Sequence, residues 1–283
     1  MKKIILSLTM ALVIHYSNSQ VTSKSDLQEL EVKGKVKSLR ETSYKAINVS
    51  GKIQKGKRKT ENSDEKDSFI SFNEKGNKIE RIEYTSDGKT YEKLSYLYDD
   101  KGYDTIIYNE KDSHNLIAKY VHKYDEKGNL IERRHYNPDG SNDNIYTYKY
   151  DENKNLVEYN WFKKDGNFGS KDIYKYDTKG NMLEDATYKS DERLEWKITY
   201  EYNDSGNCVE ENTYKGSKFY IKYLKKFDDK GNQIEIDLCK EDGTPYRKYY
   251  QKYEYDKNGN WVMQTQFEKD KPTYIYEREL VYF

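Results

Sequence analysis

The stretch YDEKGNLIE, Tyr124–Glu132, returns along the chain as YDTKGNMLE, YNDSGNCVE, FDDKGNQIE and YDKNGNWVM. Its central glycine has counterparts in other units, and Lys154 stands where the fourth of them would be. These glycines are Gly76, Gly102, Gly128, Gly180, Gly206, Gly231 and Gly259. With Lys154 included, their successive spacings are 26, 26, 26, 26, 26, 25 and 28 residues. A nearly fixed period of this size predicts an array of supersecondary units, each of which needs its neighbours for stability.

Each unit carries two turn signals. The first is an Asp followed by two polar residues, Gly and Asn, and the second is a looser pair such as Asp139-Gly140 about half a period later. The segments between them alternate in the manner of strands, as in Tyr148-Lys149-Tyr150. One unit therefore predicts one β-hairpin. We expect Asp125 to cap its turn and Gly128 to take the positive φ, whereas Lys154 strains its turn unless Asn153 takes that angle.

This turn also predicts a register. Tyr124 would lie opposite Leu130, and His122 opposite Glu132. The same register elsewhere places Tyr148 opposite Glu158, Tyr174 opposite Glu184, and Lys225 opposite Glu235 in a salt bridge. One face would then carry Tyr, Leu or Met, and Glu, and the other would mix Ile and Val with charged residues. The first and last strands are expected to cap the two edges of the sheet.

The composition agrees with a thin, strand-rich structure. Hydrophobic residues make up 34% of the chain and charged residues 35%, and there are 31 tyrosines, which favour strands over disorder. The sequence therefore predicts an all-β fold, an antiparallel meander of about eight 26-residue β-hairpin repeats in an elongated, twisted, mostly single-layer sheet. The formal net charge is zero, which argues against nucleic acid as a partner.

The N-terminus has the pattern of a secretory signal peptide. Two lysines precede an apolar run over 4–14, which is too short for a permanent membrane span, and small polar residues follow at 17–19. We expect cleavage near Ser19, export to the periplasm or the outside of the cell, and no membrane span in the mature chain. The predicted organisation is a signal peptide at 1–19, a linker at 20–32 and a repeat domain at 33–283, with repeats at roughly 68–270.

An exported protein can form disulfides, but the repeat argues against one here. Cys208 follows its turn by two residues and Cys239 follows the next turn by eight. They would lie two strands apart at opposite ends, roughly 20 Å from each other, so we predict two free thiols.

The pattern YxYDxxGN resembles the RHS or YD repeat, as at Tyr124-Asp125, Tyr150-Asp151, Tyr176-Asp177 and Tyr255-Asp256. The resemblance covers roughly residues 68–270 and implies a spiralling sheet of β-hairpins in an exported protein that binds carbohydrate or acts as a shell or scaffold. Two departures are that Asn follows Gly where that family usually has Arg, and that the units are few for enclosing a cargo. The Asp-Gly turns also resemble MORN-like repeats, a second family of hairpin arrays.

Catalytic, metal and cofactor sites are not predicted. The acids of the Asp125 turn lack the alternation and terminal bidentate Glu of a calcium loop. His122 and His135 would fall on opposite faces of the sheet, which argues against a metal site. The chain has no GxSxG or HExxH motif, and we expect no enzyme activity.

Trp161 is the residue that departs from the repeat. Its equivalents are all polar: Glu83, Asn109, His135, Thr187 and Thr213. Trp196 and Trp261 instead replace residues that are apolar in other units, and they are expected to pack. Trp161 is a candidate ligand platform for carbohydrate, with packing as the alternative. The function predicted is a non-enzymatic, exported repeat protein that presents an extended β-surface to an envelope or secreted protein, with polysaccharide binding as the alternative.

Overall fold

A computed structural model describes residues 25–30, 32–58, 67–85, 87–99, 104–111 and 115–283, with the backbone alone at 29, 104–111 and 115–117. The expected signal peptide at 1–19, its cleavage site, Gly102 and His114 lie outside the described residues.

The described residues form one short helix and nineteen strands. They are α1 (Asp26–Glu29), β1 (Val36–Val49), β2 (Lys52–Arg58), β3 (Asp67–Phe72), β4 (Lys78–Tyr84), β5 (Thr90–Tyr98), β6 (Asp104–Lys111), β7 (Asn115–Tyr124), β8 (Leu130–Tyr136), β9 (Asn142–Tyr150), β10 (Leu156–Phe162), β11 (Phe168–Tyr176), β12 (Met182–Lys189), β13 (Leu194–Tyr202), β14 (Cys208–Lys215), β15 (Lys218–Phe227), β16 (Gln233–Cys239), β17 (Pro245–Tyr255), β18 (Trp261–Glu268) and β19 (Lys271–Tyr282).

The strands form a single antiparallel sheet, and the predicted all-β meander is confirmed. From β3 to β19 each strand pairs with the next one in the chain. β1 pairs with β19 along one edge and with β3 and β2 along the other. The succession of pairings therefore leads from β3 to β19 and returns to β3 by way of β1. The expectation that the first and last strands cap two separate edges was wrong, because these two strands pair with each other.

Among the described residues, the larger of two hydrophobic clusters lies where β1 joins the two ends of the meander. Leu39 pairs with Leu280 of β19 on one side and with Ile70 of β3 on the other. Leu27 and Phe72 are buried in the same cluster. The amide of Leu27 in α1 donates to the carbonyl of Gly76, so the helix packs against the first repeat turn. Burial is concentrated at this junction because the alternating charged strands provide few aliphatic side chains elsewhere.

The repeat turn has the predicted construction. The amide of Asp125 donates to the Asn129 carbonyl at 2.9 Å, and the amide of Gly128 donates to the Asp125 carbonyl at 3.1 Å. The Asp125 carboxylate accepts from the amides of Lys127 and Asn129 and from the Asn129 side chain. Asp125 is thus a cap whose oxygens are used inside the turn, and the Asn that departs from the YD pattern completes the same network.

The positive φ angles fall where the repeat predicts them. They lie between 79° and 86° at Gly76, Gly128, Gly180, Gly206, Gly231 and Gly259. In the fourth unit Lys154 itself has a φ of 66°, so Asn153 does not take the angle in its place. A residue with a side chain is strained at such a positive φ, because its Cβ lies too close to the backbone.

Replacing Lys154 with Gly is therefore expected to raise the free energy of unfolding by roughly 0.5–1 kcal/mol, because relief of the strain exceeds the entropy that Gly adds to the unfolded chain. The matched control is Gly206→Ala in another copy of the turn, where an added Cβ meets no atom within 4 Å. That change should lower stability by about 1–2 kcal/mol through φ alone. Urea denaturation measures both, and a loss of stability in Lys154→Gly would contradict this account of the turn.

The predicted register is correct for the first pair after the turn and wrong beyond it. Tyr124 lies opposite Leu130, but Lys123 lies opposite Glu132, since a β-bulge at Ile131 inserts one residue into the second strand. His122 consequently lies opposite Arg133 rather than Glu132. The other units repeat this bulge.

The predicted tyrosine–glutamate pairs are therefore replaced by lysine–glutamate ion pairs. Lys149 meets Glu158 at 2.7 Å, where Tyr148 had been expected. Lys175 likewise meets Glu184 in place of Tyr174, at 2.7 Å, and Lys226 rather than Lys225 meets Glu235, at 2.8 Å. Lys225 binds Glu211 instead.

At Tyr150, Tyr176 and Tyr202, the tyrosine directly before the repeat turn ties neighbouring units together. The Tyr176 hydroxyl donates to the Leu156 carbonyl at 2.8 Å, and Tyr202 donates to Met182 at 2.9 Å. In each case the acceptor is the first residue after the preceding repeat turn, 20 residues earlier. These bonds give the two carbonyls a side-chain donor directly beside each bulge.

Candidate binding surface

The bulges gather aromatic side chains on one side of the sheet, which we call the aromatic face. It carries Tyr148, Tyr159, Trp161, Tyr174 and Tyr200. Tyr148 lies opposite Tyr159, and their ring centroids are 5.5 Å apart. The opposite side carries the Lys149–Glu158, Lys175–Glu184 and Lys226–Glu235 pairs, whereas Lys225–Glu211 lies on the aromatic face, where Glu211 is opposite Tyr200. The predicted division of residues was therefore wrong for Glu158 and its equivalents, which lie on the face away from the tyrosines.

Trp161 is held on the aromatic face by two contacts. Its indole Nε1 donates to Asn144 Oδ1 of β9 at 2.8 Å. Its six-membered ring lies over Gly169 of β11, so closely that a Cβ on that glycine would be 2.4 Å from a ring carbon. The ring is thus packed on one side, and the side chain remains half-buried. Trp161 therefore packs against the sheet in a fixed orientation, and its role as a ligand platform stays a prediction.

A second group of aromatic residues lies near the second turns of the units that follow Trp161. Trp196 and Tyr220 pack edge to face with their ring centroids 5.5 Å apart. The Lys215 ammonium lies 5.6 Å from the Trp196 ring centroid. Tyr220 is 47% exposed and Tyr246, two strands further, is 56% exposed. Sequence reasoning missed Tyr220 and Tyr246, although each falls in the bulge that follows a second turn, where strand alternation is interrupted.

Two carboxylates lie among the tyrosines of the aromatic face. Asp172 of β11 is opposite Tyr159 and Thr187, and Asp185 of β12 is opposite Tyr174 and Ile198. One oxygen of each carboxylate is buried with no hydrogen-bond partner in the described part of the chain. Desolvation, followed by the neighbouring charge of Asp172, raises the pKa of Asp185 to about 7. Desolvation also raises the pKa of Asp172.

The histidines lie differently from the prediction. Tyr120 and His122 share one face of β7, and His135 lies opposite Tyr120, so both histidines are on the aromatic face. His135 stacks on Tyr120 with the ring centroids 4.7 Å apart, and its Nδ1 lies 2.8 Å from Asp143. The expectation of opposite faces was wrong because it ignored the bulge at Ile131.

In the described part of the chain, no three His, Cys, Asp or Glu side chains lie together where they could hold a metal ion. The turn carboxylates are instead occupied by hydrogen bonds. At Asp125, bonds from Asn129 and Lys127 outweigh desolvation and lower the pKa of the carboxyl.

Both cysteines are free thiols in the structure, as predicted. Cys239 is buried and Cys208 is half-buried. Desolvation raises the pKa of each thiol, which leaves the thiolate scarce near neutral pH.

Comparison with known proteins gives structural similarities alone. No protein-family model matches the chain, and no curated protein matches its sequence. A porin-like protein from Bacteroides uniformis aligns over 87% of this chain and 98% of its own, at 8% identity and a TM-score of 0.45. One from Bacteroides vulgatus aligns over 89% and 99%, at 12% identity and a TM-score of 0.33.

The Tc holotoxin pore of Photorhabdus luminescens is also similar. It aligns over 81% of this chain and 14% of its own, at 13% identity and a TM-score of 0.31. Within the described residues, no helix has the length and apolarity to cross a membrane. At these identities and TM-scores the similarities assign neither a family nor a function.

Proposed function

We propose that the chain is an exported, non-enzymatic repeat protein of the YD type that presents its sheet to an envelope or secreted protein. The observation that carries this proposal is the aromatic group near the second turns, in which Tyr220 and Tyr246 are exposed and Trp196 is half-buried. Export rests on the N-terminal sequence pattern, and the absence of catalysis rests on the missing nucleophile and base motifs.

The chemistry of the cluster suits a protein partner. Trp, Tyr and Arg are the residues that most often dominate binding energy at protein interfaces. Arg247 follows Tyr246 directly, and it is held in place by Glu268 at 3.3 Å. The chain has a formal net charge of zero, so aromatic contact rather than electrostatic steering would provide the affinity.

Paired variants test this function. The double variant Tyr220→Ser/Tyr246→Ser removes the two exposed rings, and Leu183→Ser is the control, because Leu183 is 41% exposed and follows a first turn at the other end of the strands. Quantitative pull-down from envelope and secreted fractions should identify a protein retained by the native chain and by Leu183→Ser. The double variant should lose it. Equal retention by all three proteins would contradict the proposal.

Polysaccharide binding is the second candidate, and Trp161 is the observation that favours it. Gly169 and Asn144 fix the indole before any ligand arrives, which lowers the entropy cost of stacking a sugar on its outer side. Asp172 lies on the same face and offers acceptors for sugar hydroxyls. Trp161→Ala should abolish retention on a polysaccharide affinity gel while the circular dichroism stays unchanged. Unchanged retention would end this alternative.

A further inference from the structure

The acid pair on the aromatic face has an arrangement that ordinary surface carboxylates avoid. Asp172 and Asp185 project from adjacent strands on the same face, offset by two pairs along the ladder, because Asp172 lies opposite Thr187 and Tyr174 lies opposite Asp185. Such diagonal neighbours lie within about 7–8 Å between Cα atoms. The two acids are therefore close enough to repel each other when both are charged.

Among the described residues of β10 to β13, no positive side chain lies close enough to either carboxyl to offset this repulsion. The titratable side chains that face the pair are Tyr159 from β10, Tyr174 and Tyr176 from β11, and Tyr200 from β13, with Glu211 beyond them on β14. Lys189 also lies on this side, opposite Ser170 near the second turn, where it is bound to Glu195 at 3.0 Å. Glu211 is likewise bound to Lys225.

We propose that Asp172 and Asp185 form a pH-sensitive element that destabilises the β11–β12 hairpin as the pH rises towards and through neutrality. At acid pH a shared proton lets one carboxyl donate a hydrogen bond within the pair or to a neighbouring tyrosine oxygen. At higher pH two desolvated anions lie side by side without a cation. The element joins the strands next to Trp161 on one side and Trp196 on the other, so pH acts on the sheet between the two candidate binding groups.

The direction follows from proton linkage. The pKa of Asp185 is raised to about 7 in the folded chain, chiefly by desolvation and then by Asp172. The unfolded carboxyl titrates near 4, so the folded chain holds a proton that the unfolded chain has released between these values. The contribution of the Asp185 carboxyl to the free energy of unfolding is greatest below about pH 4. It falls as the pH rises to about 7 and is constant above that pH. The turn acids, whose pKa is lowered, are ionised in both states over this range and add no slope.

The experiment measures the melting temperature of the full chain from about pH 5 to pH 8 for the native protein and three variants. The native protein should lose about 5 °C or more across this range. Asp185→Asn should remove most of that slope and should melt higher than the native protein at pH 8. Asp172→Asn should shift the remaining slope to lower pH, since it removes the neighbouring charge. The control Asp165→Asn changes an exposed turn acid and should keep the native slope.

A direct titration separates this element from any other source of pH dependence. Carbon-13 NMR of the aspartate carboxyls should show Asp185 titrating close to neutrality in the native chain and at lower pH in Asp172→Asn. The histidines are present in every variant, so they cancel in the comparison. Equal slopes in the native protein and Asp185→Asn, or an Asp185 carboxyl that titrates near 4, would overturn the proposal.

Discussion

Replacing Leu39 with Ala is expected to lower the free energy of unfolding by about 2–5 kcal/mol, one of the two largest effects of a single substitution that we anticipate. Leu39 is 1% exposed and packs between Leu280 of the last strand and Ile70 of the first repeat hairpin. The truncated side chain would leave a cavity that three strands from distant parts of the sequence cannot easily fill. Urea denaturation monitored by tyrosine and tryptophan fluorescence measures the change.

The control for this prediction is a leucine of the repeats that is not in the junction. Leu183 is 41% exposed, and its replacement by Ala should cost less than about 1 kcal/mol. If Leu39→Ala costs no more than Leu183→Ala, then β1 does not join the two ends of the meander.

The second large effect is expected at Gly169. A methyl group there would lie 2.4 Å from the Trp161 ring, and a ring packed in the sheet cannot move aside as a flexible chain end does. Gly169→Ala should therefore expel the indole from its place, break its bond to Asn144, and cost about 1–3 kcal/mol.

A double-mutant cycle shows whether Trp161 is the cause. In a Trp161→Ala background the methyl group has no ring to meet, so the same Gly169→Ala change should cost much less. Equal costs in the two backgrounds would mean that Trp161 does not rest on Gly169, and the fixed platform would be lost with it.

The sequence predicted what is local. Asp125, Gly128 and Asn129 form a turn within five residues, and their roles follow from side-chain and backbone preferences that need no knowledge of the rest of the chain. The repeat period then extended that turn into a meander of hairpins. Lys154 was identified as the anomalous position for the same reason, although the structure shows that it takes the strained angle itself.

The register could not be predicted in this way, because a β-bulge depends on how two strands pair and not on the type of a single residue. Ile131 does not differ in type from an ordinary strand residue, yet the extra residue moves Glu132 from the predicted partner His122 to Lys123. This single displacement also moved His135 onto the face of His122. The equivalent bulge at Leu183 brings Asp172 and Asp185 onto one face, which explains why this acid pair was not recognised from the sequence.

The junction at β1 was missed for a different reason. Arg278 binds Glu41 across 237 residues, and no periodicity within the repeats indicates that the strand before them pairs with the strand after them. The exposed Tyr220 and Tyr246 were missed because 31 tyrosines in the chain conceal the few that lie outside the alternation. A search for tyrosines in the bulge three or four residues after the glycine of a second turn would have found them.

The most direct test of the fold is cross-linking between β1 and β19 in a chain whose native cysteines are replaced by Ser. Arg40 lies opposite Glu279, so the pair Arg40→Cys/Glu279→Cys should form an intramolecular disulfide under mild oxidation. The control Glu41→Cys/Glu279→Cys is one residue out of register and places the thiols on opposite faces. Peptide mapping under non-reducing conditions should find the bond in the first variant alone. No bond in the first variant, or equal bonds in both, would contradict the pairing of the first strand with the last.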